Sequence, residues 1–145
     1  MPKMIFMNLP VSDLGRAIRF YEGVGAVNDK RFSDGSAAMM SFSEAIHVML
    51  LTHERFRSFT TRPMADTHAT TSVLLCLSED SRAEVDATLD RAKAAGGVAD
   101  PNPSQDYGFM YGRSFEDPDG HIWEVMWMDV EAAMKAGAAH ADQAA

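Results

Sequence analysis

At the start of the chain, apolar residues recur first at every second position and then at every third or fourth. Phe6 to Val11 alternates apolar side chains with Asn8 and Pro10, the period of a strand. Ser12-Asp13 offers a helix cap, and Leu14, Ala17, Ile18, Tyr21 and Val24 follow at helical spacing until Gly25 ends the pattern. Three short strands are then predicted: Val27 to Phe32, Ala37 to Phe42 after the turn Asp34-Gly35, and Ile46 to Leu51 after Ser43-Glu44. The second half repeats this order. Thr71 to Leu77 reads as a strand. Ser81 with Glu84 forms a capping box ahead of a helix with Val85, Leu89 and Ala92 on one face, and Gly96-Gly97 stops it. Strands are predicted around Val98, from Phe109 to Phe115 and from His121 to Met128. The chain therefore reads as an α+β protein of two tandem βαβββ modules. Residues 1–52 form the first module, 53–69 a helical turn and linker, and 70–128 the second module. Residues 129–145 form a terminal helix, Asp129 to Gly137, with an alanine-rich end expected to fray.

Composition narrows the partners. The 145 residues carry a net charge of −8, and no basic stripe is visible, so a nucleic-acid partner is not expected. No apolar run reaches the ~18–20 residues of a membrane span. Met1-Pro2-Lys3 leads straight into strand-like sequence without the regions of a signal peptide, and Cys76 is the single cysteine, so a cytoplasmic location is expected. Eleven methionines, with Met39, Met40, Met49, Met126 and Met128 close in the predicted sheets, suit a core or a pocket that moulds to apolar ligands.

The segment Asp117-Pro118-Asp119-Gly120-His121-Ile122-Trp123-Glu124-Val125 carries the sharpest signal. A turn, with Pro118 and Gly120 meeting its dihedral demands, feeds an alternating strand with a carboxylate at its centre. A strand carboxylate is either exposed or functional, because burying an unpaired charge is costly.

Leu9-Pro10-Val11-Ser12-Asp13-Leu14 with Phe20-Tyr21 in one module, and Tyr107-Gly108 with Phe115 to Glu124 in the other, resemble the vicinal oxygen chelate superfamily, the glyoxalase, bleomycin-resistance and extradiol-dioxygenase group. The resemblance spans residues 4–128. It implies curved mixed sheets around a cleft, and in many members a divalent metal held by two side chains from each module. By that pattern the metal positions fall at Phe6, Met49, Ser72 and Glu124. Only Glu124 is a fitting ligand, since an aromatic ring cannot ligate and a thioether or hydroxyl is a poor donor to hard divalent ions.

Strand parity extends the candidate set. If Glu124 faces the cleft, so do Ile122 and Met126, with Trp123, Val125 and Trp127 packed on a helix. Met49 shares its face with His47 and Leu51, Asn8 with Phe6, and Ser72 with Leu74 and Cys76. Glu124 and His47 are the candidate catalytic residues. His47 could orient the acid or act as a base, or be a core histidine bonded to backbone. Phe6, Asn8, Met49, Ser72, Tyr107, Tyr111, Arg113 and Met126 are the candidate ligand contacts. The glycine-punctuated run from Tyr107 to Arg113 is read as a cleft mouth, with Arg113 meeting an anionic group or Glu116. Arg55, Arg57 and Arg62 read as a solvated face and Cys76 as an inert buried thiol.

Two functions remain open. The favoured one is a glyoxalase-like small-molecule-binding protein of bleomycin-resistance type, with an apolar cleft and no complete metal site, so that no cofactor is called for. The alternative is a metal-dependent lyase or isomerase resembling lactoylglutathione lyase, with Glu124 as metal ligand or base. An extradiol dioxygenase, which needs two histidines and a carboxylate on iron, fits less well. The resemblance also implies a small organic partner and a homodimer.

Overall fold

In the computed structural model of the protein, residues 2–144 are described, with side chains through 137. The first sheet has the order β1 (Ile5–Val11), β4 (Ile46–Thr52), β3 (Ala37–Ser41), β2 (Val27–Asp29). The second has the order β5 (Leu75–Ser78), β9 (Ile122–Met128), β8 (Met110–Glu116), β6 (Val98–Ala99), with β7 (Gln105–Asp106) also pairing β8. Both sheets are mixed. β1 runs parallel to β4 and β5 parallel to β9, and the remaining pairs are antiparallel. The βαβββ order expected in each half is present, with the short strand β7 added to the second.

The helices end where the sequence places their caps. Asp13 caps α1 (Leu14–Val24), accepting from the Arg16 N–H, and Gly25 closes it at φ 113°. Ser81 caps α3 (Arg82–Ala94), accepting from the Glu84 N–H. The turn expected after Leu51 is α2 (His53–Arg57), and the last helix, α4 (Val130–Ala144), continues past the expected stop at Gly137. The alanine-rich stretch expected to fray from Ala138 lies within this helical span as far as Ala144; Met1 and Ala145 lie outside the described residues. The β2 strand is shorter than Val27 to Phe32, because Asp29 caps a 3-10 turn at Lys30–Phe32. β5 starts at Leu75 and not Thr71; residues 70–73 instead line a hollow with Leu9 and Gly120.

One core serves both modules. α1 packs on the first sheet, α3 on the second, and the helices touch each other. Gly23 permits that approach, since an added Cβ would lie 2.8 Å from Ala95 Cβ. Phe20 and Tyr21 from α1 meet Phe115 and Trp123 from the second sheet, beside Met40, Leu50, Val85 and Leu89. The expected inward turn of Trp123 and Val125 holds, and Trp127 packs at the core's margin. With the helices between the sheets, the opposite face of each sheet is left open. Among the described residues no helix is long and apolar enough to cross a membrane.

Candidate functional site

The two helix caps fix which positions correspond. Asn8 stands five residues before Asp13, as Cys76 does before Ser81. Asn8 pairs with Met49 in the first sheet, and Cys76 with Glu124 in the second. Met49 is therefore the structural counterpart of Glu124, a thioether where the other module has a carboxylate.

The open face of the first sheet carries Phe6 and Asn8 from β1, His47 and Met49 from β4, and Met39 and Ser41 from β3. A hollow of about 600 Å³ lies there, lined by Met4, Phe6, Phe32, Met39, Phe42 and His47 among others. Its polar groups are mostly engaged. Arg31 makes a two-pronged pair with Asp29, at 3.0 and 2.7 Å. His47 is buried, stacked on the Phe6 ring at 4.9 Å between centroids. Its Nδ1 lies 2.7 Å from Ser41 Oγ and its Nε2 3.1 Å from the Glu44 carbonyl. A carbonyl only accepts, so Nε2 bears the proton, and in the neutral ring Nδ1 accepts from the Ser41 hydroxyl.

The open face of the second sheet holds Glu124. Ile122 and Met126 flank it along the strand, all three half-buried, and Cys76 sits beside it. A smaller hollow, about 140 Å³, is lined by Glu124, Cys76, Met126, Met110, Asn102 and Gln105 among others. Among the described residues the Glu124 carboxylate has no hydrogen-bond partner. Cys76, expected to be buried, is exposed on this face, and partial desolvation of its sulfur by the surrounding sheet, together with the nearby Glu124 charge, pushes its thiol pKa up. The hollows of His47 and Glu124 have no residue in common, so within one chain the two candidate catalytic groups are not brought together.

Of the expected contacts, Tyr107, Tyr111 and Ser72 lie outside the Glu124 hollow, and Arg113 borders it with its guanidinium committed to Asp100 and Asp86. Arg113 and Tyr111 belong to the helix side of β8, the side of buried Phe115. Arg113 grips Asp100 at 3.0 and 2.7 Å and reaches Asp86 on α3 at 2.9 Å, while the Tyr111 hydroxyl donates to Asp86 at 2.7 Å. The pairing with Glu116 is not formed. These bonds hold the Asp86 and Asp100 carboxyls below the usual carboxylate range. Ser72 sits in a bend lining the hollow of Leu9 and Gly120, away from Glu124. Tyr107 is exposed and stacked on Phe109. The loop that carries it is pinned by Arg82, which pairs with Asp106 at 2.9 and 2.8 Å and lies over the Tyr111 and Trp127 rings. Arg82 draws the Asp106 carboxyl down to about 2.

A metal does not fit the side chains present. The four implied positions supply an aromatic ring, a thioether, a hydroxyl outside the strand and one carboxylate. Among the described residues no three His, Cys, Asp or Glu side chains are placed to hold an ion.

The sequence reading missed a polar network that joins the modules. Tyr21 Oη donates to Asp117 Oδ2 at 2.6 Å and accepts from Trp123 Nε1 at 3.0 Å, all buried. Asp117 Oδ1 takes the backbone N–H groups of Asp119 and His121 at 2.9 and 2.8 Å. Asp119 Oδ1 accepts from the Ser12 N–H and hydroxyl at 2.8 and 2.9 Å, and His121 Nε2 donates to the Pro10 carbonyl at 2.8 Å. Burial pushes the Asp117 carboxyl up and, more strongly, the Tyr21 hydroxyl. The signal was present: two aspartates in one turn beside a core tryptophan, where a half-solvated turn needs none.

Residues 3–125 match the family described as the Glyoxalase/Bleomycin resistance protein/Dioxygenase superfamily, and the chain belongs to it. None of the curated proteins matches it in sequence. A glyoxalase-related enzyme from Fulvimarina pelagi is similar in structure at a TM-score of 0.72, with 22% identity, covering 88% of this chain and 88% of that one. The fosfomycin resistance protein FosX from Mesorhizobium loti is similar at 0.65, with 18% identity over 92% and 98% of the two chains. TnmS3, an antibiotic-binding protein from Streptomyces sp. CB03234, is similar at 0.62, with 20% identity over 89% and 98%. At these identities the likeness shows the fold.

Proposed function

We propose that the chain is a small-molecule-binding protein of the bleomycin-resistance type, and that a second copy completes its cup. The observation that carries this reading is the hollow of about 600 Å³ on the first sheet, walled by aromatic and methionine side chains whose polar neighbours are mostly engaged with one another. Such a surface holds a ligand by apolar contact and shape. The antibiotic-binding and fosfomycin-resistance proteins among its fold neighbours support a small organic ligand. The metal-dependent lyase or isomerase reading requires donors that Phe6, Met49 and Ser72 do not supply.

The homodimer follows from the edges. β1 and β5 are both edge strands, and Ile5, Phe6 and Leu74 on or beside them are exposed. Exposed apolar edge strands invite pairing, and a partner laid along them would bring a Glu124 face towards a His47 face.

Sedimentation velocity with Nile red tests both parts at once. The dye is expected to co-sediment with a dimer of the 15.9 kDa chain. Phe6→Asp, which removes the ring stacked on His47 and sets a charge in the apolar wall, is expected to weaken the dye by about 10–100-fold, one to two steps of ~1.4 kcal/mol. Dye binding unaffected by Phe6→Asp, or a monomer at micromolar concentration, contradicts the proposal.

A further inference from the structure

We propose that Ser41 and His47 form a nucleophile–base pair that can take the acyl group of a small apolar ester. The two are register partners on β3 and β4 and line the same hollow. Ser41 Oγ is 2.7 Å from His47 Nδ1, within reach for proton transfer. The Glu44 carbonyl, 3.1 Å from Nε2, fixes the tautomer that leaves Nδ1 basic. Phe6, stacked at an interplanar angle of 20°, holds the ring in its plane and shields one face from water. Nucleophile, base and orienting group thus stand in the order that covalent acyl transfer requires.

The turn between β3 and β4 supplies the remaining part. The Phe42 N–H donates to the Ile46 carbonyl, and the Ala45 and Ile46 N–H groups donate to Ser43 Oγ. Among the described residues the Ser43 and Glu44 N–H groups have no acceptor, and both residues line the hollow beside Ser41. They are the donors available to a carbonyl oxygen that gains negative charge. Met4, Met39, Phe32 and Phe42 form the apolar surface against which an acyl or aryl group would lie.

The chemistry balances with water as the co-reactant. Ser41 Oγ bonds to the ester carbonyl carbon as its proton passes to Nδ1, and the carbonyl π pair moves onto oxygen. That pair then re-forms the carbonyl, the bond to the leaving alcohol breaks, and Nδ1 returns the proton to the departing oxygen. Water attacks the acyl-serine by the same transfer and releases the carboxylic acid. This activity uses the hollow of the binding proposal but does not rest on it, because a covalent adduct is read by mass whatever ligand the cup sequesters.

The test is reaction of the full chain with an alkyl fluorophosphonate, followed by intact mass and peptide mapping, with p-nitrophenyl butyrate hydrolysis in parallel. The expected result is one adduct per chain, on Ser41, absent in Ser41→Ala, together with ester hydrolysis that Ser41→Ala abolishes. His47→Gln is expected to slow adduct formation by about 100-fold or more, the low end for a lost general base. Ser36→Ala, in the half-buried turn ahead of β3 and outside the hollow, should react as the parent does. Folded protein that forms no adduct, an adduct at another residue, or hydrolysis undiminished in Ser41→Ala overturns the proposal. If His47→Gln does not fold, Ser41→Ala alone decides it.

Discussion

Asp117→Ala is expected to lower the free energy of unfolding by about 3–5 kcal/mol, read from urea denaturation of the full chain. The carboxylate accepts from Tyr21 Oη, the Asp119 N–H and the His121 N–H, and each of these is left without an acceptor in a buried setting. Trp123 Nε1 keeps its bond to Tyr21, but Tyr21 loses what orients its hydroxyl. The turn that brings Asp119 to Ser12 and His121 to Pro10 also loses its internal brace, so the damage extends to the seam between modules. Asp117→Asn, which keeps one carbonyl acceptor and the same shape, is expected to lose roughly half as much. Equal stability of the alanine variant and the parent would show that the network holds nothing together.

Gly120→Ala is expected to cost about 2–4 kcal/mol and to loosen the linker. Gly120 has φ 88°, where an L side chain is strained, and an added Cβ would sit 2.6 Å from the Thr67 carbonyl oxygen and 2.8 Å from the His68 nitrogen. Both obstacles are backbone, so no rotamer change relieves them. The turn or the segment around Thr67 must move, and Thr67 Oγ1 then loses its bond to the Asp119 carbonyl. Tryptic cleavage after Arg57, which lines a hollow with Thr67, His68 and Asp119, should quicken in step with the fall in melting temperature. A variant as stable and as protease-resistant as the parent would contradict this reading of the turn.

Much of the fold was legible because its signals are local. The Asp13 and Ser81 caps, Gly25 at its left-handed position and the strand parity that buries Trp123 and Val125 each depend on a few neighbouring residues. Strand parity extends to Tyr111 and Arg113 as well. Counting back by twos from the apolar Phe115 puts both on the helix side, and only the glycines around them suggested a cleft mouth. What set their partners was long-range: Asp86 on α3 and Asp100 in a loop, neither marked in sequence as a receiver for Arg113. The late start of β5 has a similar cause. Thr71 to Val73 have strand-like residues, yet this stretch lines the hollow of Leu9 and Gly120, a tertiary demand that overrides propensity. The motifs that carry the family resemblance turn out to face each other across the module seam. Ser12 and Tyr21 from one meet Asp119, Asp117 and Trp123 from the other. They record how the two modules are fastened and leave the chemistry of the open faces unspecified, which is why the fold could be read further than the function.

The open faces carry the functional account: a carboxylate without a hydrogen-bond partner among the described residues on one, and an aromatic and methionine hollow with a tethered histidine on the other. Metal content of protein purified without a histidine tag or chelator, measured by inductively coupled plasma mass spectrometry, tests that account most directly. The predicted result is less than about a tenth of an equivalent of nickel, zinc, iron or manganese, unchanged in Glu124→Ala, because a single carboxylate ligand does not retain such an ion through purification. A stoichiometric metal that disappears in Glu124→Ala would contradict it, and would mean that donors converge on Glu124 from side chains this arrangement keeps apart.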